Sequence, residues 1–188
     1  MTRSELSDLL SRIRGVRVGI LGDFCLDAYL LLDSQGSEPS LETGLPTRPV
    51  RSQRYSPGAA GNVACNLKAM GVKQVSVYGV VGADPFGEEM RRMLDAASID
   101  ARGLLVQRER WDTHVYMKPF EKEIEQHRLD FGTFNQIHPS TFMRLLEDLG
   151  RDIRDLDIVI LKQQVLHGVH TREMREALGE LARGHPNT

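Results

Sequence analysis

The chain has 188 residues and a nearly balanced charge, 24 Lys plus Arg against 26 Asp plus Glu, for a formal net charge of −2. That length fits one ordinary domain, or one domain with an appendage, and suffices for a sizeable core. The balance offers no basic surface for nucleic acid or for an anionic membrane. No apolar run reaches membrane-spanning length, and the N-terminus lacks the apolar segment of a secretion signal. Cys25 and Cys65 have no CxxC spacing and sit in apolar settings. They read as reduced core thiols, which predicts a cytoplasmic protein.

Thr2 to Glu5 has the form of a capping box, and Leu6, Leu9, Leu10 and Ile13 follow at helical spacing until Gly15. Val16 to Leu21 is a predicted strand with Gly22-Asp23 as its exit. A helix is predicted from Gly61 to Met70, then a strand from Val75 to Val81. Asp84-Pro85 reads as an N-cap with Pro at the first helical position. Phe86, Met90, Met93, Leu94 and Ala97 give that helix its buried stripe. A further helix begins at Ser140, with Phe142, Leu145, Leu146 and Leu149 inward. Asp157 to Leu161 is a short apolar strand, and Thr171 caps a last helix that runs to Arg183 with Gly184 just past it.

Apolar strands alternating with amphipathic helices predict an α/β fold, a mostly parallel sheet covered on both faces. Two segments break the rhythm. Residues 34–55 carry Pro39, Pro46 and Pro49 among small and polar residues. Residues 112–118 alternate, with Thr113, Val115 and Met117 on one side and His114, Tyr116 and Lys118 on the other, as in a half-exposed strand. These two segments are expected to form one appendage outside the main core.

The run Pro57-Gly-Ala-Ala-Gly-Asn62-Val-Ala64 stands just ahead of a helical segment. Glycine lets backbone pass close to another group, and the Asn62 amide can both donate and accept. Such a loop suits close contact with a small polar ligand, or a tight turn packed with small residues.

Gly22-Asp-Phe-Cys-Leu-Asp27, then the loop at 57–64, then Val81-Gly-Ala-Asp84-Pro-Phe-Gly87 occur in the order seen in the PfkB, or ribokinase-like, carbohydrate kinases. The chain resembles that family from about Val16 to Val169 and is most similar to its heptose-phosphate kinase branch, which has a comparable Gly-Asp-x-x-x-Asp opening and a counterpart to Gln126-His-Arg128-Leu-Asp130. The resemblance implies a ribokinase-like sheet between helices with a small β-lid over a sugar site. The core would then be residues 1–33, 56–111 and 131–188, and the lid residues 34–55 and 112–130. It implies that Asp27 accepts hydrogen bonds from sugar hydroxyls and that Gly58 and Asn62 contact the sugar. Arg128 is a candidate contact to an anionic substrate. It also implies ATP and Mg²⁺ as cofactors of the full-length enzyme, a sugar or sugar phosphate as substrate, and a homo-oligomer joined through the lid.

The sequence departs from the family at several points. Pro57 stands where the family has Gly, and Gln163 where the branch carries an acid. The family's catalytic base lies in a Gly-Ala-Gly-Asp segment of its C-terminal half, and no such segment occurs here. The reading is therefore the N-terminal, sugar-binding part of a carbohydrate kinase, inactive alone, with no catalytic residue and no nucleotide contact of its own. The alternative is a non-catalytic sugar- or partner-binding protein built on this fold. His167 and His170 have metal-binding spacing but no Cys or carboxylate ligand set near them, and Asp23 and Asp27 read better as one structural and one sugar-contacting acid than as a cation pair, so no metal site is expected.

Overall fold

The computed structural model describes residues 2–185. Along the chain run α1 (Arg3–Ile13), β1 (Arg17–Gly22), β2 (Phe24–Leu32), β3 (Val50–Gly58), α2 (Ala59–Ala69), β4 (Gln74–Gly82), α3 (Pro85–Ala96), β5 (Asp100–Gln107), β6 (His114–Glu121), β7 (Ile124–Glu125), β8 (Leu129–Phe131), α4 (Pro139–Asp152), β9 (Ile158–Lys162) and α5 (Arg172–Gly184). No described helix is long and apolar enough to cross a membrane.

Four strands form a parallel sheet in the order β5-β4-β1-β9. Side chains alternate between its faces, as strand geometry requires. Val75, Val77 and Val81 of β4 and Val18 and Ile20 of β1 pack with Ala60, Ala64, Met90 and Leu94 of α2 and α3. Tyr78, Val80 and Leu21 point the other way, onto Leu145, Leu149, Met174 and Leu178 of α4 and α5. Both faces are thus covered over β1 and β4, as the apolar strands predict, while on the edge strand β9 Ile158 and Leu161 stay exposed.

The helix starts follow the local chemistry. Thr2 and Glu5 close a reciprocal capping box, Asp84 accepts from the Gly87 N–H, and Thr171 accepts from the Met174 N–H. The periodic stripe of α1 is not buried: Leu6, Leu9 and Leu10 remain 40, 46 and 38% exposed, and of the four stripe residues Ile13 alone packs on the core. Helical periodicity fixes the conformation of this segment without a partner to cover its apolar side.

A second sheet has the order β3-β2-β6-β7, with β8 also paired to β6. β2 runs antiparallel to β3 and parallel to β6. One of its faces is apolar. Leu26, Ala28, Tyr55, Val115 and Met117 join the α2 and α3 cluster, and Phe86 of α3 lies between Tyr55 and Phe131 at centroid distances of 6.3 and 5.4 Å. The alternation read at residues 112–118 is the inside and outside of β6. β1 ends at Gly22, where the sequence places the exit of the strand. Asp23 is a single residue between β1 and β2, so the chain steps directly from the first sheet into the second. The second sheet therefore takes Phe24–Leu32 and Val50–Gly58, parts of which the sequence reading grouped with the core.

Candidate functional site

The outward face of the second sheet is polar, and its composition follows from register. Cross-strand partners share a face. Asp27 lies beside Ser56 on β3 and Tyr116 on β6; Tyr29 lies beside Arg54 and Lys118; Cys25 lies beside Gly58 and His114. Asp130 of β8 pairs with Tyr116 and joins the same face.

Asp27 is the centre of this face. Lys118 Nζ donates to Asp27 Oδ1 at 2.6 Å, and the two side chains are 21 and 24% exposed. Burial works against the Lys118 charge, but the hydrogen bond and charge of Asp27, with Tyr29, outweigh it and hold the ammonium above its ordinary value. Lys118 Nζ and Arg54 Cζ lie 5.1 and 4.7 Å from the Tyr29 ring centroid, within cation–π range. The other oxygen of Asp27 borders the loop: a Cβ on Gly58 would lie 3.3 Å from Asp27 Oδ2 and 2.6 Å from Cys25 Sγ. Position 58 is therefore glycine for close approach and not for backbone hand, since its φ is −107°. The left-handed residue of this loop is Ala59, with φ 46°. Burial, then the charges of Asp27 and Asp23, push the Cys25 thiol up to about 12.

Asn62 lies on the first turn of α2, exposed, and accepts from Asn66 Nδ2 at 3.3 Å. The helix starts at Ala59, two residues before the predicted Gly61. Arg128 stacks over the Tyr116 ring at 4.3 Å and grips Asp130 through two bonds of 2.6 and 2.7 Å. Its charge is thus already partnered by a neighbouring carboxylate. The structure brings Asp27, Gly58 and Arg128 to one face, Arg128 by way of Tyr116, and sets Asn62 one turn into the adjoining helix.

Two features could not be read from the sequence, although the residues themselves stand in its motifs: a partnership and a role. One is the partnership of Asp27 with Lys118, 91 positions apart. The other is the role of Asp23, which is 2% exposed. Its Oδ2 accepts from the N–H groups of Gln164 and Val165 at 2.8 and 3.1 Å, and its Oδ1 from Val169 N–H at 3.0 Å. Its own N–H donates to the Lys162 carbonyl, and its carbonyl accepts from Ala60 N–H. Asp23 therefore ties the loop after β9 to the start of α2. Val165 of that loop packs on Cys25, Ala59 and Tyr116, closing the end of the polar face. Gln163 is exposed at the loop's start. His170 lies with Nε2 3.2 Å from the Lys162 carbonyl, while His167 is exposed at φ 55°. Buried His114 is held between Leu166 O, 3.3 Å from Nε2, and Asn135 Nδ2, 3.5 Å from Nδ1.

Residues 23–128 match the model of the pfkB family carbohydrate kinases. The chain is 29% identical to the bifunctional protein HldE of Citrifermentans bemidjiense over 178 residues, 95% of this chain and 36% of that protein. It is 32% identical to the D-beta-D-heptose 7-phosphate kinase of Bordetella bronchiseptica over 150 residues, 80% of this chain and 46% of that one. The chain thus spans less than half the length of these relatives. Among solved structures, a carbohydrate kinase from Agrobacterium tumefaciens superimposes with a TM-score of 0.63 at 16% identity, over 90% of this chain and 50% of that one. That likeness is one of fold.

Proposed function

The chain belongs to the pfkB family of carbohydrate kinases, and from that premise we propose that it supplies the sugar-binding part of an enzyme transferring the γ-phosphoryl group of ATP to a hydroxyl of a sugar or sugar phosphate. The second sheet serves as the lid. The observation that carries the reading is Asp27: a partly buried carboxylate on a polar sheet face, with one oxygen 3.3 Å from where a Cβ at Gly58 would lie. A carboxylate accepts from sugar hydroxyls more strongly than a neutral side chain does. The glycine lets the ring come close to the backbone. Asn62 adds a donor and an acceptor from the first turn of α2, and Arg128 stands at the rim for an anionic group.

The general base and the helix start that would hold the transferring phosphoryl group are not encoded in these 188 residues, which contain no Gly-Ala-Gly-Asp segment. Phosphoryl transfer rests on such positioning, so we assign this chain recognition and not turnover. ATP and Mg²⁺ serve the full-length enzyme, where the metal neutralises phosphate charge. The described residues bring together no group of three His, Cys, Asp or Glu suited to a metal, and neither cofactor is assigned to a residue here. Free Cys25 and Cys65 fit a reducing compartment such as the cytoplasm. The outer edge of β3, paired on one side only, is where we place self-association.

Isothermal titration with a hexose and its 6-phosphate tests the site. Asp27→Ala is expected to weaken binding by about 1.5–3 kcal/mol, the usual worth of a hydrogen bond to a charged group. Equal affinity of wild type and Asp27→Ala, or no saturable binding by the wild-type chain, refutes the assignment.

A further inference from the structure

A bare carboxylate in a sugar site can only accept, so each hydroxyl it holds must donate. Asp27 is not bare. Its Oδ1 is occupied by Lys118 Nζ at 2.6 Å, and its Oδ2, beside Gly58, receives no hydrogen bond from the described residues. Lys118 reaches Asp27 diagonally across β2 and β6, on the face that also carries Tyr29, Tyr116 and Arg54. An ammonium has three donors. Asp27 takes one, and the side chain remains 21% exposed, which leaves donor capacity for a ligand. A partly exposed ion pair of this kind adds little to fold stability, so its place in the centre of the polar face asks for another role.

We propose that Lys118 is a specificity-determining contact that converts Asp27 into a reader of adjacent hydroxyls. One hydroxyl donates to Asp27 Oδ2, and the oxygen of its neighbour accepts from Lys118 Nζ. The pair presents one acceptor and one donor side by side, the pattern that matches a vicinal diol. The Tyr29 ring beneath the ammonium, 5.1 Å away, holds it in place. The inference rests on the sugar-site reading above and names the chemistry that site recognises: the carbohydrate's neutral diol and not its phosphate.

The test titrates the whole chain, as wild type, Lys118→Met, Lys118→Arg and Asp27→Ala, with D-mannose and D-mannose 6-phosphate. Thermal unfolding of each variant reports on the fold. Lys118→Met keeps the length and loses the donors. It is expected to weaken both ligands by the same factor, about 10- to 150-fold, which is the range for removing one hydrogen bond between a charged group and a ligand. Lys118→Arg, which keeps a donor, is expected to restore most of the affinity, with the melting temperature little changed in both. A loss confined to the 6-phosphate makes Lys118 a phosphate contact and overturns the diol assignment. Full affinity in Lys118→Met with loss in Asp27→Ala overturns the inference and leaves the sugar site standing. Full affinity in Asp27→Ala refutes the site itself.

Discussion

Replacing Asp23 with alanine removes the acceptor of three backbone N–H groups at once, those of Gln164, Val165 and Val169. Hydrogen bonds to a charged group contribute about 1.5–3 kcal/mol each, so three set an upper bound near 9 kcal/mol. The loss stops short of that bound. Gln163, Gln164, Leu166 and His167 are exposed, and the loop can lift far enough for water to reach Gln164 and Val165. Val169 is 1% exposed and cannot rehydrate without leaving the core. One full bond and a share of the other two give about 3 kcal/mol, a large part of the 5–15 kcal/mol that holds a typical domain. At roughly 2–4 °C per kcal/mol for a chain of this size, the melting temperature should fall by about 6–12 °C. Asp23→Asn keeps one acceptor oxygen but turns an NH₂ group towards an N–H, and should lose about half as much. Gly168→Ala should resemble Asp23→Ala, because its Cβ would lie 2.1 Å from Asp23 Oδ1. Thermal unfolding ranks the variants, and hydrogen exchange at Gln164, Val165 and Val169 locates the change. Unchanged protection of those three amides in Asp23→Ala would show that the carboxylate does not hold the loop.

Two further outcomes follow from buried titratable groups. Burial holds His114 below its ordinary value of 6.5, against the opposing pull of the Leu166 carbonyl and Asp23 and with help from His167. The unfolded chain therefore binds a proton that the folded one refuses, and stability should fall as pH drops below 6.5 towards the lowered folded value, by at most about 1.4 kcal/mol per pH unit. Denaturant titrations between pH 5 and 8, in wild type and His114→Gln, should show this slope in the wild type and a flatter one in the variant; parallel curves would exclude His114 as the source. For the thiols, iodoacetamide at about pH 8 should leave Cys25 unmodified until the chain unfolds, because its thiol is pushed up to about 12 and is 1% exposed, while half-buried Cys65 reacts slowly in the native state. Native labelling of Cys25 would contradict its burial behind Gly58 and Val165.

What the sequence disclosed and what it withheld divide along physical lines. β4, β9, α3 and α5 were legible because their apolar periodicity and caps are local. β5 was not: Asp100 to Gln107 mixes Arg102 and Gly103 into its apolar run and shows no alternation. β2 is nearly all apolar apart from Asp27, which hides the two faces that register later separates. The motif acids Asp23 and Asp27 stood out, but their roles did not. Asp23 meets backbone N–H groups more than 140 positions away, and backbone partners leave no mark on side-chain patterns. Arg128 read as a candidate contact to an anionic substrate, and its spacing from Asp130, two residues on, gave no sign that the two would pair beside Tyr116.

Asp23 is also the only residue between β1 and β2, so on this path any tilt of one sheet over the other must turn about a single α-carbon. At that point the main-chain N–H, the main-chain carbonyl and both carboxylate oxygens are already engaged. The joint is locked at the end of β2 beside the site, whereas the far end of the strand, at Leu31 and Leu32, bends through a register shift against β3 and runs out to the solvent-exposed segment at 37–49. The second sheet is thus anchored to the first at Asp23, at one end of β2, while the other end is tied only within its own sheet, through Asp33 to Pro49 and Arg51 and through Arg48 to Glu121. A tilt of one sheet over the other would carry the far end of β2 furthest and leave Asp27, four residues from Asp23, nearly in place.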